Sequence, residues 1–237
     1  MQRWRLVVSR CGPAAGSQRD GPVAWESALT GTGLPVAGLD LPAPRPRYAI
    51  AAPLPQGMPG EAELVDVWLT ERLPRWRVRE ALEAGLPEGH RLVDVYDVSL
   101  GEPALPGMVA ASVYRVILRD DGPRPEAIRG AAAAMLAATT LPRQRPKGDT
   151  TVAYDLRPFL DAIAIESFLD GEALRMTLRH DPERGVGRPE EVLAELGERA
   201  GGPIPISGLV RERIVLRDRS AAPSPGARPV APVRGRR

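Results

Sequence analysis

The sequence predicts an α+β protein made of two tandem ferredoxin-like (βαββαβ) halves with mostly antiparallel sheets, followed by a disordered basic tail. Three observations predict it. The order strand, helix, paired strands, helix, strand can be read twice along the chain from its apolar periodicity. Aromatic residues make up only 4%, so the core must come from Leu, Val, Ile and Ala on short amphipathic elements. Beyond Arg219 the chain is Pro-, Ala- and Arg-rich with no apolar period. The halves are placed at residues 1–104 and 105–218, divided by a linker-like Gly101-Glu102-Pro103-Ala104-Leu105-Pro106-Gly107, and the tail at 219–237.

In the first half, residues 3–9 alternate, with Trp4, Leu6 and Val8 opposed to Arg3 and Arg5, as in a half-buried strand. Val23–Leu29 reads as a short helix stopped by Gly31-Thr32-Gly33, and Leu34–Leu39 as a second strand. Leu41–Pro46 is an extended proline-rich loop leading to a strand at Tyr48–Ala52. Glu61–Thr70 sets Val65, Val67 and Leu69 against Leu64, Asp66 and Trp68. A helix from Pro74 to Ala84 and a strand from His90 to Val98 close this half.

The second half opens with a Val/Ile/Tyr-rich strand at Ser112–Arg119 and an alanine-rich helix at Pro125–Ala138. The cationic stretch Arg143–Pro158 follows, a Pro146-Lys147-Gly148 turn leading into a strand over Thr150–Leu156. A hairpin then pairs Leu160–Phe168 with Leu174–Arg179 across Asp170-Gly171. Proline and acids at Pro189-Glu190-Glu191 begin a helix, and Leu209–Leu216 is the last strand.

Charge directs attention to local sites rather than to a broad surface. The whole chain is +2, but the five arginines from Arg219 onward leave residues 1–218 at −3. Cys11 is the sole cysteine, which excludes an internal disulfide and a cysteine-ligated cluster. His90 and His180 lack a second ligand at metal spacing, so no metal and no cofactor are expected. The carboxylate pairs Glu61/Glu63, Asp94/Asp97 and Asp120/Asp121 read as solvated faces. No leader and no membrane span are expected, and a reducing, cytoplasmic setting fits.

The residues that stand out are cations at loop and element edges: Arg45, Arg47, Arg143, Arg145, Lys147, Arg157 and Arg188. Lys147 is the only lysine. Two readings fit them. Charged turns keep a sheet edge from pairing with other molecules. Alternatively, guanidinium forks and free backbone N–H groups hold phosphate, with Tyr48 or Tyr154 stacking on a base.

The order of several pieces along the chain carries a family resemblance. They are Ser9-x-x-Gly12-Pro13, Trp25–Leu29 through Gly33–Ala37, Pro44–Gly57, Glu61–Val67 and Leu86–Gly89, then Tyr114-Arg115-Val116, Lys147-Gly148, Tyr154–Pro158 and Gly187–Leu193. From about residue 3 to 217 the chain resembles the radical-SAM-linked domain of unknown function, a module fused to or encoded beside a cobalamin-binding radical SAM protein. The resemblance implies a radical SAM partner and, by analogy, an RNA-like substrate. One departure is Ser17-Gln18-Arg19-Asp20, where the family has a Ser-His-x-Asp element. Another is Gly38–Ala43, where it has Gly-Phe-Asn. The expected function is a non-catalytic accessory module that binds this partner, an RNA-like anion, or both. An RNA-processing or RNA-modifying enzyme and a purely structural partner subunit are the alternatives.

Overall fold

The computed structural model describes residues 1–11, 20–147, 150–168 and 171–217, with the side chains of residues 20 and 145–147 outside the description. The expected tail at 219–237, the Asp170-Gly171 turn at its first residue, the Gly148 end of the cationic turn and Ser17-Gln18-Arg19 therefore lie outside the described residues.

The protein is mixed α+β, with five α-helices and a mostly antiparallel sheet. In the first half come β1 (Gln2–Arg10), α1 (Asp20–Gly31), β2 (Tyr48–Ile50), β3 (Gly60–Leu69), α2 (Arg75–Gly85) and β4 (His90–Val98). A short α3 (Leu105–Met108) precedes β5 (Val109–Leu118), α4 (Pro125–Ala137), β6 (Pro142–Lys147) and β7 (Thr150–Asp155). After a 3-10 turn at Arg157–Phe159 come β8 (Leu160–Phe168), β9 (Gly171–Asp181), β10 (Gly185–Val186), α5 (Pro189–Ala200) and β11 (Ile206–Leu216).

Nine of these strands form one sheet in the order β10-β9-β5-β11-β3-β1-β4, with β2 added on β3 and β8 on β9. Its pairings are antiparallel except where β11 meets β3, with Arg211 opposite Gly60. Strands β6 and β7 pair only with each other.

Alternation puts Trp4, Leu6 and Val8 of β1 and Val65, Val67 and Leu69 of β3 into one apolar cluster with Trp25, Leu29, Val78 and Leu82 of the helices. A second cluster packs Tyr114, Val116, Leu174, Met176 and Leu178 under Ile128, Met135, Val192 and Leu196. Between them Ala51, Ala52, Leu64, Leu105, Val109 and Ile214 make a third, small core.

Four expectations need correcting. Leu34–Leu39 is no strand: only Val36 bridges Leu69, because Gly33 and Gly38 take positive φ and turn the chain at both ends. Glu63, read as part of a solvated face, is buried against Arg211. Arg3 and Arg5 are not on an open face either. Both are buried, and with Asp66, which has no exposed surface, they form a charged cluster inside the sheet. The segment read as a linker is what covers them: Arg3 donates to the Glu102 and Pro103 carbonyls at 2.8 and 2.9 Å. It thus crosses the sheet as packed structure and ends in α3, whose Leu105 is fully buried.

Candidate functional site

The cationic stretch Arg143–Pro158 becomes a two-stranded ribbon inserted between α4 and β8, outside the nine-stranded sheet. Its register sets Arg143 opposite Tyr154, Arg145 opposite Val152 and Lys147 opposite Thr150. Directly opposed residues of an antiparallel pair share a face, so the three cations occupy alternate positions on one face of the ribbon. Thr150, Thr151, Val152 and Ala153 are all exposed, whereas Tyr154 packs half-buried against the second-half core. The side chains of Arg145 and Lys147 lie outside the described residues.

At the base of the ribbon the cations are engaged within the fold. Arg143 donates to Glu195 at 2.9 Å and to Glu198 at 2.8 Å on α5, and these carboxylates, Glu198 first, hold its pKa up against partial burial. Arg157 donates to the carbonyls of Leu136, Ala138 and Leu160 at 2.8, 3.0 and 2.7 Å. Two of those acceptors end α4, so this guanidinium serves as a helix C-terminal cap. Arg157 thus offers no free fork to a ligand, and Arg143 has its Nη1 committed to the two carboxylates.

Arg45 and Arg47 sit elsewhere, on the loop before β2. Gly38, at φ 91°, lets that loop fold back, since a Cβ there would overlap the Arg45 carbonyl. Arg47 stacks 4.8 Å from the Trp68 ring centroid, with Arg3 5.0 Å from the same ring, whereas Arg45 is exposed and makes no ion pair among the described residues. Tyr48 donates its hydroxyl to the Pro22 carbonyl at 3.0 Å, which orients it onto α1. Arg188 is exposed at the start of α5, where its carbonyl accepts from the N–H groups of Glu191 and Val192. Among the described residues no contact links Arg45 or Arg47 to Arg143, Arg157 or Arg188.

A second constellation was not legible from spacing. Pairing across β4, β1, β3, β11 and β5 puts His90, Arg10, Gly60, Arg211 and Tyr114 in one transverse row. Arg211, 2% exposed, donates Nε to Glu63 at 2.9 Å and Nη2 to the other Glu63 oxygen and to the Ala52 carbonyl. Beside it, Ser112 Oγ and His180 Nε2 hydrogen-bond at 2.9 Å, with Ser112 fully buried. Burial, then the Arg211 charge, pushes the His180 pKa down to about 4. His90 is also lowered, chiefly by burial, although its Nδ1 contacts the Glu88 carbonyl at 3.1 Å. The six strands supplying these groups are spread along the sequence, so only the register brings them together.

Among the described residues no helix is long and apolar enough to cross a membrane, and no group of three His, Cys, Asp or Glu is placed to hold a metal. Fold and surface thus define an α+β module with an inserted cationic ribbon. Residues 17–189 match the family described as "Uncharacterized protein conserved in bacteria (DUF2344)", and the chain belongs to that family. No curated protein matches it. Among solved structures, a chain of the "Crystal Structure of a Cbf5-Nop10-Gar1 Complex" is 10% identical with a TM-score of 0.46, the match covering 88% of this chain and 49% of that one. This chain therefore spans about half the length of that relative. An unknown protein from Galdieria sulphuraria is 19% identical, covering 89% of this chain and 98% of its own, with a TM-score of 0.27.

Proposed function

We propose that this chain is a non-catalytic, cytoplasmic accessory module of a radical SAM protein that helps hold an anionic, RNA-like substrate. Its two halves are read as tandem ferredoxin-like units, with the β6–β7 ribbon as the element that meets the substrate. The observation that carries this reading is the ribbon itself. It lies between α4 and β8 and contributes nothing to the nine-stranded sheet. Its register repeats Arg143, Arg145 and Lys147 along one face. A β-ribbon with a cationic face suits a phosphate backbone, and exposed small residues let the backbone approach closely. The radical SAM partner comes from the family resemblance, as does the RNA-like character of the substrate.

Because Arg143 and Arg157 are occupied inside the fold, the contact falls to Arg145 and Lys147, with Arg45, Arg47 and Arg188 as outlying cations. Single-stranded RNA titrated against the full chain tests this by anisotropy at several salt concentrations. Reversing two phosphate contacts in R145E/K147E is expected to weaken binding at least about tenfold near 0.1 M salt and to flatten the salt slope by about 1.4, the single-strand value for two contacts. Unchanged affinity and slope would remove RNA from the proposal. Co-purification with the radical SAM protein tests the partner, and failure of the two chains to associate would leave the module without it.

A further inference from the structure

We propose that the row formed by His90 and Arg10, beside the Arg211–Glu63 pair, is a binding site for a phosphate group. This goes beyond the ribbon and does not depend on it. The charges of the row do not cancel. Both Glu63 oxygens accept from Arg211, and Arg10 and Arg211 lie opposite the same residue of β3, Gly60. That leaves two guanidinium groups to one carboxylate. Arg10 has no carboxylate hydrogen bond among the described residues. Among the described residues its Nη2 reaches only the Pro55 carbonyl, at 3.3 Å, and its buried Nε has no partner. A buried cationic N–H without an acceptor is costly, and a ligand oxyanion is the group that would remove the cost.

The neighbour across the pairing to β4 supplies the second contact. A carbonyl only accepts, so His90 donates Nδ1–H to Glu88, and the lone pair of the neutral ring lies on Nε2. An anion held on Arg10 would draw a proton onto that nitrogen and convert it into a donor. A carboxylate ligand fills the arginine fork with its two oxygens. Phosphate brings further oxygens for the imidazolium, which is why the pair selects phosphate. The site also lies beside the place where β3 and β11 pair. Gly60, opposite both Arg10 and Arg211, has no room for a Cβ because Glu63 Oε1 would lie 2.6 Å from it.

With only two histidines in the chain, imidazole 1H–15N spectra of the full protein read the site directly. Inorganic phosphate at constant ionic strength is expected to shift the His90 resonances saturably and raise the His90 pKa by about one unit, as a nearby anion does. His180, which bonds Ser112, should move far less. R10Q should abolish the response, and R10K, which keeps the charge but loses the fork, should weaken it about tenfold. A dinucleoside monophosphate run in parallel tells a polymer phosphodiester from free phosphate, and saturation by either supports the site. Equal responses to chloride and acetate would overturn it, as would a response retained in R10Q and R10K. The same titration on R145E/K147E should be unchanged, which separates failure here from failure of the ribbon.

Discussion

Asp66 accepts four hydrogen bonds from two arginines while having no exposed surface: Arg3 Nε and Nη2 at 2.8 and 2.5 Å, and Arg5 Nε and Nη2 at 2.8 and 3.1 Å. Glu102, 3.8 Å from Arg5, offsets the remaining charge. Removing one member of such a cluster strands the others in a medium that solvates them poorly. D66N is therefore expected to lower unfolding free energy by about 3–5 kcal/mol in urea titrations. D121N, which breaks the exposed Arg119–Asp121 pair, should cost about 0–1 kcal/mol. The same scale sets a pH dependence. A histidine whose folded pKa lies below its unfolded value of about 6.5 gives stability that is complete above 6.5 and is lost as pH falls toward the folded value. For His180 that window runs from about 6.5 down to about 4, and His90 acts in the same direction. Unfolding curves at pH 7 and pH 4.5 should show H180N losing less stability on acidification than the parent. The sequence did show Asp66 as an acid inside an apolar run. What it could not show was that Arg3 and Arg5, alternating onto one side of their strand, face Asp66, since that partner is some sixty residues away and the covering segment over thirty further on.

Strand β4 ends the sheet with one edge unpaired by the rest, the situation that invites association with other chains. Two local devices blunt it. The register with β1 slips between Val7 and Val8, which leaves Val93 as an extra residue that bends the strand. Asp94 then takes the Val95 N–H at 2.8 Å, and this bond, ahead of those from Arg75, holds its pKa down. D94A frees that amide and removes the edge charge, so light scattering should show concentration-dependent association absent from the parent. Most elements were legible here, because strands and helices with a single apolar face state their period plainly. Leu34–Leu39 misled because its apolar residues serve a loop that folds back through Gly38. The ribbon was legible as a charged turn. Its separation from the sheet was not, since that depends on β8 and β9 pairing without it.

Across the whole molecule the two halves meet through little backbone pairing: Arg211 opposite Gly60, with the Arg211 N–H reaching the Pro59 carbonyl at 3.1 Å. Side chains secure this seam, chiefly the Glu63–Arg211 pair and the small apolar core between the halves. G60A would push Glu63 off Arg211 and is expected to destabilise by about 1–3 kcal/mol, the usual range for forcing atoms into filled space. Biphasic unfolding in this variant and a single transition in the parent would show that the seam couples the halves. The cation sites read from the sequence divide along the same line. Arg45 and Arg47 belong to the first half, the ribbon and Arg188 to the second, and neither group supplies the row at the seam.

The strand directions carry one more consequence. Strands β4, β3, β11 and β9 run one way and β1, β5 and β8 the other, so the run β9-β5-β11 has the same directions as β3-β1-β4, set beside it by sliding along the sheet without turning over. A slab built by sliding has unlike ends, β4 at one and β8 with β10 at the other. Copies joining β4 to β8 would stack front to back, with no symmetry axis to close the stack, whereas two β4 edges would meet about a two-fold axis and stop at a pair. The kink at Val93 and the carboxylate at Asp94 guard the edge that both arrangements need.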